Sequence, residues 1–296
     1  MTLLSILIAL LLERIVETIH GWREHSWFNS YYEWMFQHIG SNSFWAGPIG
    51  VIVVLAPVIL GVVVVFSILD MILFGFLSFL GAIAVLLLCL GPRDLDADTD
   101  SLIQAIEDSD EEAVHARTED LLGKGASADT KTIAEGVLTQ SLERIFGVIF
   151  WFAILGPVGA VLFRAAGLLA GIVAGSEQER EGFVKAVTRL NGIIMWLPAR
   201  LTALGFAVMG NFEDALHNWQ VRSDELDAED WIDSSKEALA ASGMGALRLV
   251  TPAEGDDSQT SEVSVSAVRA AMGLVWRTLV GWVVIIALLT LAGLAG

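Results

Sequence analysis

Hydrophobic residues occur in long runs along this chain. Within the longest run, residues 50–90, Asp70 is the only charged residue. Because a helix needs about 20 apolar residues to cross a membrane, the run predicts a transmembrane hairpin at 47–90. In lipid, each segment must satisfy its own backbone amides, which makes two helices the expected structure. We expect the hairpin to turn near Gly75, and the alternative is a turn with Asp70 as a helix N-cap.

Apolar segments at both ends of the sequence predict two more membrane helices, at 1–20 and at 269–296. A cleaved signal peptide is not expected, because the segment 1–20 has neither a basic n-region nor a small-residue cleavage site. Glu13 and Arg14 either face protein as a buried pair or reach the interface at the helix end, and both alternatives stay open. The aromatic residues 21–46 predict an interfacial connection.

Residues 145–212 predict apolar helices that are interrupted by helix-breaking residues. The structural breaks are Gly156, Pro157 and Pro198. An arginine follows each interruption, Arg164 in the first helix and Arg200 in the second. Freed backbone groups and arginines at membrane depth need protein or water partners, which is typical of helices that line a cavity. A proline kink with Arg164 at the interface is the alternative, and the pattern does not decide between crossing and re-entrant helices.

Two polar segments, 91–144 and 213–268, hold 27 of the 35 Asp and Glu residues of a chain whose formal net charge is -18. Both carry Lys and Arg near the membrane, so the positive-inside rule predicts that both are cytoplasmic and that the carboxyl terminus lies outside. The loop 251–262 is predicted to be disordered. The predicted fold class is an all-α integral membrane protein with about four full transmembrane helices, interrupted, re-entrant or interfacial helices, and two acidic cytoplasmic helical segments.

Composition and charge indicate the surroundings of the chain and limit its partners and the kinds of site it can contain. The chain is 54% hydrophobic, with a mean hydropathy of +0.63, so the lipid bilayer is its expected surrounding. Its acidic polar segments argue against a nucleic-acid partner. Cys89 is the single cysteine, which excludes a disulfide within the chain and a Cys-based metal site. No metal site and no cofactor are predicted, because no acidic or Cys residue stands at ligand spacing with all three of His20, His25 and His38.

The sequence resembles the AmpE membrane proteins in three places. These are the N-terminal helix ending in Glu13-Arg14, the block from Phe150-Trp151-Phe152 through Gly156-Pro157 to Arg164, and the motif Trp196-Leu197-Pro198-Ala199-Arg200-Leu201-Thr202. The last motif is the most specific. AmpE proteins are similar in turn to the CobD/CbiB cobalamin-biosynthesis family. The AmpE resemblance implies an inner-membrane modulator of β-lactamase induction, linked to peptidoglycan recycling and the antibiotic response.

CobD/CbiB enzymes join an aminopropanol moiety to adenosylcobyric acid, and this sequence departs from three of their motifs. The region of 144–147 in this chain lacks the family's Glu-Asn pair and the Asp-Gly that follows it, and Asn191-Gly192 stands where the family has an acidic pair. Their Ser-Pro-Asn-Ala-Gly motif is replaced in the region of 234–238. The lost acids and amides argue against retained ligase chemistry, so no catalytic residue is assigned, and whether the protein is an enzyme stays open.

These patterns lead to one main functional hypothesis and two alternatives. We expect a non-catalytic regulatory modulator in the bacterial inner membrane, whose cavity binds an anionic small molecule. The expected ligand-binding residues are Glu13, Arg14, Arg164, Trp196 and Arg200. Arginine suits carboxylates and phosphates because its planar fork donates two hydrogen bonds at once. The alternatives are an amide-forming synthase of the CobD/CbiB type and a transporter, and the small number of spans would require the transporter to form a homo-oligomer.

Overall fold

The computed structural model describes residues 2–15, 26–40, 47–71, 75–90, 95–175, 181–225, 234–249 and 264–292. Within these ranges all regular secondary structure is helical, which confirms the all-α fold class. The α-helices are α1 (Thr2–Ile15), α2 (Ser26–Ile39), α3 (Pro48–Met71), α4 (Phe76–Cys89), α5 (Leu95–Glu107), α6 (Glu111–Leu122), α7 (Thr130–Ser141), α8 (Gly147–Ala174), α9 (Glu181–Met209), α10 (Phe212–Glu225), α11 (Ser235–Ala246) and α12 (Val265–Leu291). A π-helix, Leu142–Phe146, connects α7 to α8.

Four helical stretches in the described ranges are long and apolar enough to cross a membrane. They are Pro48–Met71, Thr130–Ala174, Glu181–Met209 and Val265–Leu291. The chain is therefore a multi-pass membrane protein. The number of candidate membrane-spanning stretches agrees with the prediction of about four, but the helices that supply them differ from the predicted ones. The described parts of α1 and α4 have 14 residues each, or roughly 21 Å of helix, whereas the interrupted region supplies two of the long stretches.

The backbone at Gly75 has the conformation that a turn at this residue requires. Gly75 has a φ of 82° and precedes α4 directly. Glycine adopts this left-handed conformation without the steric cost that a Cβ would add. Asp70 lies in the last turn of α3, as expected for a turn at Gly75. The alternative, with Asp70 as the N-cap of the second helix, is therefore wrong.

The chain divides into two compact units, and α9 and α12 each contribute to both. The first unit comprises residues 1–92, 147–195 and 285–296, and the second comprises 93–146 and 196–284. The core of the first unit contains buried side chains from α2, α3, α8 and α9. They are Phe28, Tyr32, Met35, Val51, Val54, Leu55, Ala165, Leu169, Val173, Phe183 and Val187.

The aromatic segment 21–46 contains the helix α2, which faces this core with part of its surface. Phe28 and Tyr32 are buried, and the Tyr31 hydroxyl donates to the Val54 carbonyl at 2.9 Å. Trp27 and Trp34 are each 56% exposed. Burial against protein therefore accounts for some of the aromatic residues in this segment. The interfacial location stays a prediction.

The break predicted in α8 occurs at Gly156. Its φ of 63° and ψ of -149° are non-helical, in a region of backbone conformations that is essentially restricted to glycine. Pro157 follows and begins the second part of the helix, a position at which its missing N–H is tolerated. The backbone of α8 is therefore kinked at this glycine.

Helix caps in the second unit follow the sequence pattern. Asp110 accepts a hydrogen bond from the Ala113 amide at 3.0 Å at the start of α6. Asp129 does the same for α7, accepting from the amide and the hydroxyl of Thr132 at 2.9 and 2.6 Å. Burial raises the pKa of Asp129, but hydrogen bonds from Thr132, from Ser127 and from the Lys131 amide together outweigh it, so its pKa lies below the ordinary value.

Small residues allow α11 to pack closely within the second unit. A Cβ on Gly243 would lie 2.7 Å from Leu138, and one on Gly245 would lie 2.5 Å from the Asp214 carbonyl. The buried Ser242 hydroxyl donates to the Ala203 carbonyl at 2.9 Å. These contacts hold α11 against α7, α9 and α10. The predicted disordered loop 251–262 lies outside the described residues.

Candidate functional site

A polar cleft of about 760 Å³ lies in the second unit between α7, α10 and α11. This volume falls within the range of roughly 300–1,000 Å³ that is typical of small-molecule sites. We call it the polar cleft. Its polar lining residues are Lys131, Thr132, Glu135, Thr139, Gln140, Glu143, Asn218, Arg222, Lys236 and Glu237.

The charged side chains of the polar cleft form three ion pairs. Arg222 Nη2 lies 3.0 Å from Glu237 Oε2. Lys236 Nζ pairs with Glu143 Oε1, and Lys131 pairs at 3.9 Å with Glu135, four residues later on α7. All these side chains are partly exposed. A ligand can therefore reach the polar cleft from solvent and displace one member of an ion pair.

The π-helix directs two neighbouring charged residues to different surroundings. Glu143 lines the polar cleft. The adjacent Arg144 is 8% exposed, and its Nη1 donates to Asp98 Oδ2 at 2.7 Å. Arg144 Nε also donates to Gln140 Oε1 at 3.0 Å. Because Gln140 lines the cleft as well, the buried ion pair supports the wall that carries Glu143.

The balance of charge in the polar cleft limits what it can bind. Its cations suit carboxylates and phosphates, and its carboxylates suit ammonium groups. A ligand carrying both kinds of group would replace the existing ion pairs without leaving a charge unpaired. Among the described residues, no group of three or more His, Cys, Asp or Glu side chains is arranged to hold a metal ion.

The predicted ligand-binding residues belong to both units. Glu13 and Arg164 are half-buried in the first unit, on α1 and α8. Arg14 lies on α1, but its side chain is outside the described part of the structure. Trp196 and Arg200 lie on α9, in its second-unit portion. A cavity shared by all five residues stays a prediction.

Arg200 and Trp196 contact each other, as their spacing of four residues on a helix allows. The Arg200 Cζ lies 5.1 Å from the centroid of the Trp196 ring and 5.7 Å from that of Trp219 on α10. Both distances are within the range of cation–π interactions. Trp219 was missed as a site residue, because it lies in a polar segment outside the Trp-x-Pro-Ala-Arg motif.

Pro198, the third predicted break, lies inside the continuous helix α9. Proline has no N–H, so the carbonyl four residues earlier, that of Ile194, loses its helical donor. The Trp151 indole N–H donates to this carbonyl at 3.0 Å. The Trp151 side chain therefore supplies a donor for the carbonyl that the proline leaves without one, and this hydrogen bond joins α8 to α9.

The charged residues of the polar cleft were not predicted as a site. In the sequence they look like solvated surface, because they lie in acidic helical segments. One available signal was the departure from the CobD/CbiB motifs in the regions of 144–147 and 234–238. The first region adjoins Glu143, the second contains Lys236 and Glu237, and these residues meet in the polar cleft.

A family model, described as CobD/CbiB protein, matches residues 6–274. The chain belongs to the CobD/CbiB family. A "Cobalamin biosynthesis protein CobD" of Chromobacterium violaceum is 28% identical over 56% of this chain and 53% of its own length. A protein of the same name from Stutzerimonas stutzeri is 28% identical over 59% and 57%. A "Probable cobalamin biosynthesis protein CobD" of Thermococcus kodakarensis is 25% identical over 56% and 53%.

The matched part of this CobD/CbiB chain spans about half the length of these curated relatives. No solved structure matches. The distant resemblance to CobD/CbiB is confirmed by the family model. The comparisons do not support the AmpE assignment or the link to β-lactamase induction, since the family model and the matching curated proteins carry the CobD name.

Proposed function

We propose that this chain acts in cobalamin biosynthesis at the membrane, as an amide-forming synthase of the CobD/CbiB type. The family match over residues 6–274 supports the pathway. The observation that carries the proposal is the polar cleft, where the Lys236–Glu143 pair joins α11 to the π-helix. Both residues lie in or beside regions that correspond to family motifs.

The chemistry of amide formation suits a cleft that carries both signs of charge. The reaction implied by the resemblance forms a C–N bond between a carboxyl carbon of adenosylcobyric acid and the amine of an aminopropanol moiety. A C–O bond of the carboxyl group breaks, and its oxygen leaves as water, or as phosphate when a phosphoryl donor has first activated the carboxyl group. The cations Arg222 and Lys236 would bind acidic groups of the substrates, and Glu143 or Glu237 would bind the ammonium group before it reacts. A carboxylate beside the amine is also suited to accept its proton.

The changed motifs are the main argument against this proposal. The polar cleft has Lys236 and Glu237 in one changed motif region and Glu143 beside another. These residues keep charged groups in the cleft, although their arrangement differs from the family pattern. Synthesis by this chain therefore requires that the altered set still orients an amine and a carboxyl group. A cell-based assay tests this requirement directly.

The experiment is complementation of a cell that cannot make cobinamide, grown under conditions that require cobalamin. We expect the wild-type gene to restore growth when cobyric acid is supplied. Lys236→Gln should abolish or strongly reduce that growth, because it removes a cation and leaves Glu143 without its partner. Arg269→Gln is the matched control, since Arg269 pairs with Glu107 at 2.6 Å on partly exposed surface and does not line the polar cleft.

Immunoblots of the membrane fraction establish that each variant accumulates. A wild-type chain that is present in the membrane but fails to restore growth, while added cobinamide does restore it, would contradict the synthase proposal. Equal growth with wild type and Lys236→Gln would instead contradict the role of the polar cleft. The regulatory hypothesis is not proposed as a second function, because no contact in the described structure favours it.

The orientation of the polar cleft is part of the proposal. Basic residues flank the apolar runs on the side of the two acidic segments, so the positive-inside rule supports a cytoplasmic location for α5, α6, α7, α10 and α11. A cytoplasmic cleft would have access to soluble precursors. We propose the bacterial inner membrane as its location, and cysteine-accessibility labelling of residues introduced in α6 and α10 tests the orientation.

A further inference from the structure

Arg200 has aromatic contacts that restrict its guanidinium. The rings of Trp196 and Trp219 lie 5.1 and 5.7 Å from its Cζ. Arg200 itself is half-buried on α9. Since all three residues belong to the second unit, the arrangement is a local one. Contacts between guanidinium and aromatic rings use the electrostatic attraction of the ring face, and they leave the N–H groups to bind acceptors.

One N–H group of Arg200 lacks a protein acceptor within the described part of the chain. Its Nε is buried and has no hydrogen-bond partner there. No ion pair to a described carboxylate involves Arg200 either. A buried N–H without an acceptor is unfavourable, and an arginine offers five donors in one plane. Among the described residues, the guanidinium is therefore held by two rings while its buried Nε–H has no acceptor.

We propose that Arg200, held by Trp196 and Trp219, binds an oxyanion, namely a carboxylate or phosphate group. Such groups accept two parallel hydrogen bonds from a guanidinium, a geometry that lysine does not offer. The two rings reduce the conformational freedom that Arg200 would otherwise lose on binding. This site uses different residues from the polar cleft and does not depend on the synthase proposal.

Two sources supply this chemistry, a phospholipid headgroup and a soluble ligand. The exposed side chains of Leu197, Leu201 and Leu204 lie on the same helix as Arg200. They fit a lipid-facing surface, which would bring headgroup phosphates to this helix where it meets the interface. A soluble ligand would reach Arg200 from the aqueous side. The experiment separates these two sources.

The test is native mass spectrometry of the full chain, released from a mild detergent, with two probes in separate titrations. One probe is phosphatidylglycerol and the other is inorganic pyrophosphate. For one of the two probes, we expect the affinity of wild type to be at least about tenfold higher than that of Arg200→Gln, because the variant loses charge-assisted hydrogen bonds. Arg200→Lys should bind more weakly than wild type, because it keeps the charge and loses the planar fork.

Arg277→Gln is the matched control, because Arg277 is an exposed arginine on α12 that donates from Nε to the Gly273 carbonyl. It should bind as wild type does. Preferential retention of phosphatidylglycerol by wild type supports a lipid headgroup, and preferential retention of pyrophosphate supports a soluble ligand. Equal binding of both probes by wild type and Arg200→Gln overturns the proposal.

A second variant keeps the proposal testable if Arg200→Gln does not fold. Trp219→Leu retains the arginine and removes one of the rings that restrict it. We expect this variant to unfold at nearly the wild-type temperature and to bind the preferred probe several-fold more weakly. Unchanged binding by a folded Trp219→Leu protein would show that this ring does not orient Arg200, and would overturn that part of the proposal.

Discussion

Replacing Trp151 by Phe removes a hydrogen-bond donor that compensates for the proline in α9. Pro198 cannot donate to the carbonyl of Ile194, and the Trp151 indole N–H takes over that hydrogen bond at 3.0 Å. Ile194 is 5% exposed, so water has little access to this carbonyl. Trp151→Phe therefore leaves a buried acceptor without its donor and keeps an aromatic ring at the position.

The size of the effect follows from two considerations. An unsatisfied buried polar group costs about 1–3 kcal/mol, but side-chain hydrogen bonds within membranes contribute about 0.6 kcal/mol on average and at most about 1.7 kcal/mol. The smaller ring also loses some packing. We expect Trp151→Phe to reduce the free energy of unfolding by about 1–2 kcal/mol.

The assay is reversible unfolding in lipid bicelles by titration with sodium dodecyl sulfate, carried out as a double-mutant cycle with Pro198→Ala. Alanine restores the N–H at position 198, so the Ile194 carbonyl regains a helical donor. In that background Trp151→Phe should cost about 1 kcal/mol less than in wild type. Trp34→Phe controls for the loss of an indole at a side chain that is 56% exposed, and it should have little effect. Equal costs of Trp151→Phe in both backgrounds would refute the reasoning.

Three further predictions concern stability and use the same unfolding assay. Gly156→Ala should reduce the free energy of unfolding by about 1–3 kcal/mol, because φ is 63° at this residue. Its control is Gly167→Ala, which should be neutral or stabilising because a Cβ at Gly167 would have no neighbouring atom within 4 Å. Arg144→Gln breaks an ion pair whose side chains are 10% and 15% exposed and should cost about 3 kcal/mol, but Arg269→Gln at the surface should cost less than about 1 kcal/mol. The pKa of Asp129 is lowered in the folded chain, so its stabilising contribution should be complete above the unfolded value of about 3.9 and be lost as the pH falls through the lower folded value. Asp129→Asn should remove that part of the pH dependence, and an unchanged acid profile would contradict the assignment.

The sequence alone determined the membrane class, the helical fold and several helix boundaries. The run 50–90 is too long and too apolar for anything but membrane helices, and Gly75 marks its turn because few other residues adopt that backbone conformation. The non-helical backbone at Gly156 also coincides with a local sequence feature, a glycine that precedes a proline. Each of these features depends on residues within a few positions of one another, so local physical chemistry is sufficient to predict it.

The sequence alone predicted the family only in part, and it did not predict the polar cleft. The motif around Arg200 indicated both AmpE and, more distantly, CobD/CbiB, and the family model supports the second. The cleft residues Glu143 and Lys236 carried no signal of their own, because a charged residue in an acidic helix looks the same whether it faces solvent or a binding site. The only sequence signal at these positions is that the surrounding regions depart from a family pattern.

Only the tertiary structure brought distant residues into contact. Glu143 and Lys236 are 93 positions apart and form an ion pair, the Trp151 indole reaches Ile194, and Trp219 joins Arg200. Such contacts depend on how helices pack, and packing depends on small residues such as Gly243, whose neighbours are remote in sequence. Hydropathy and capping are properties of short segments, but a binding cleft is a property of several segments at once, which is why the sequence determined the helices and the fold had to determine the site.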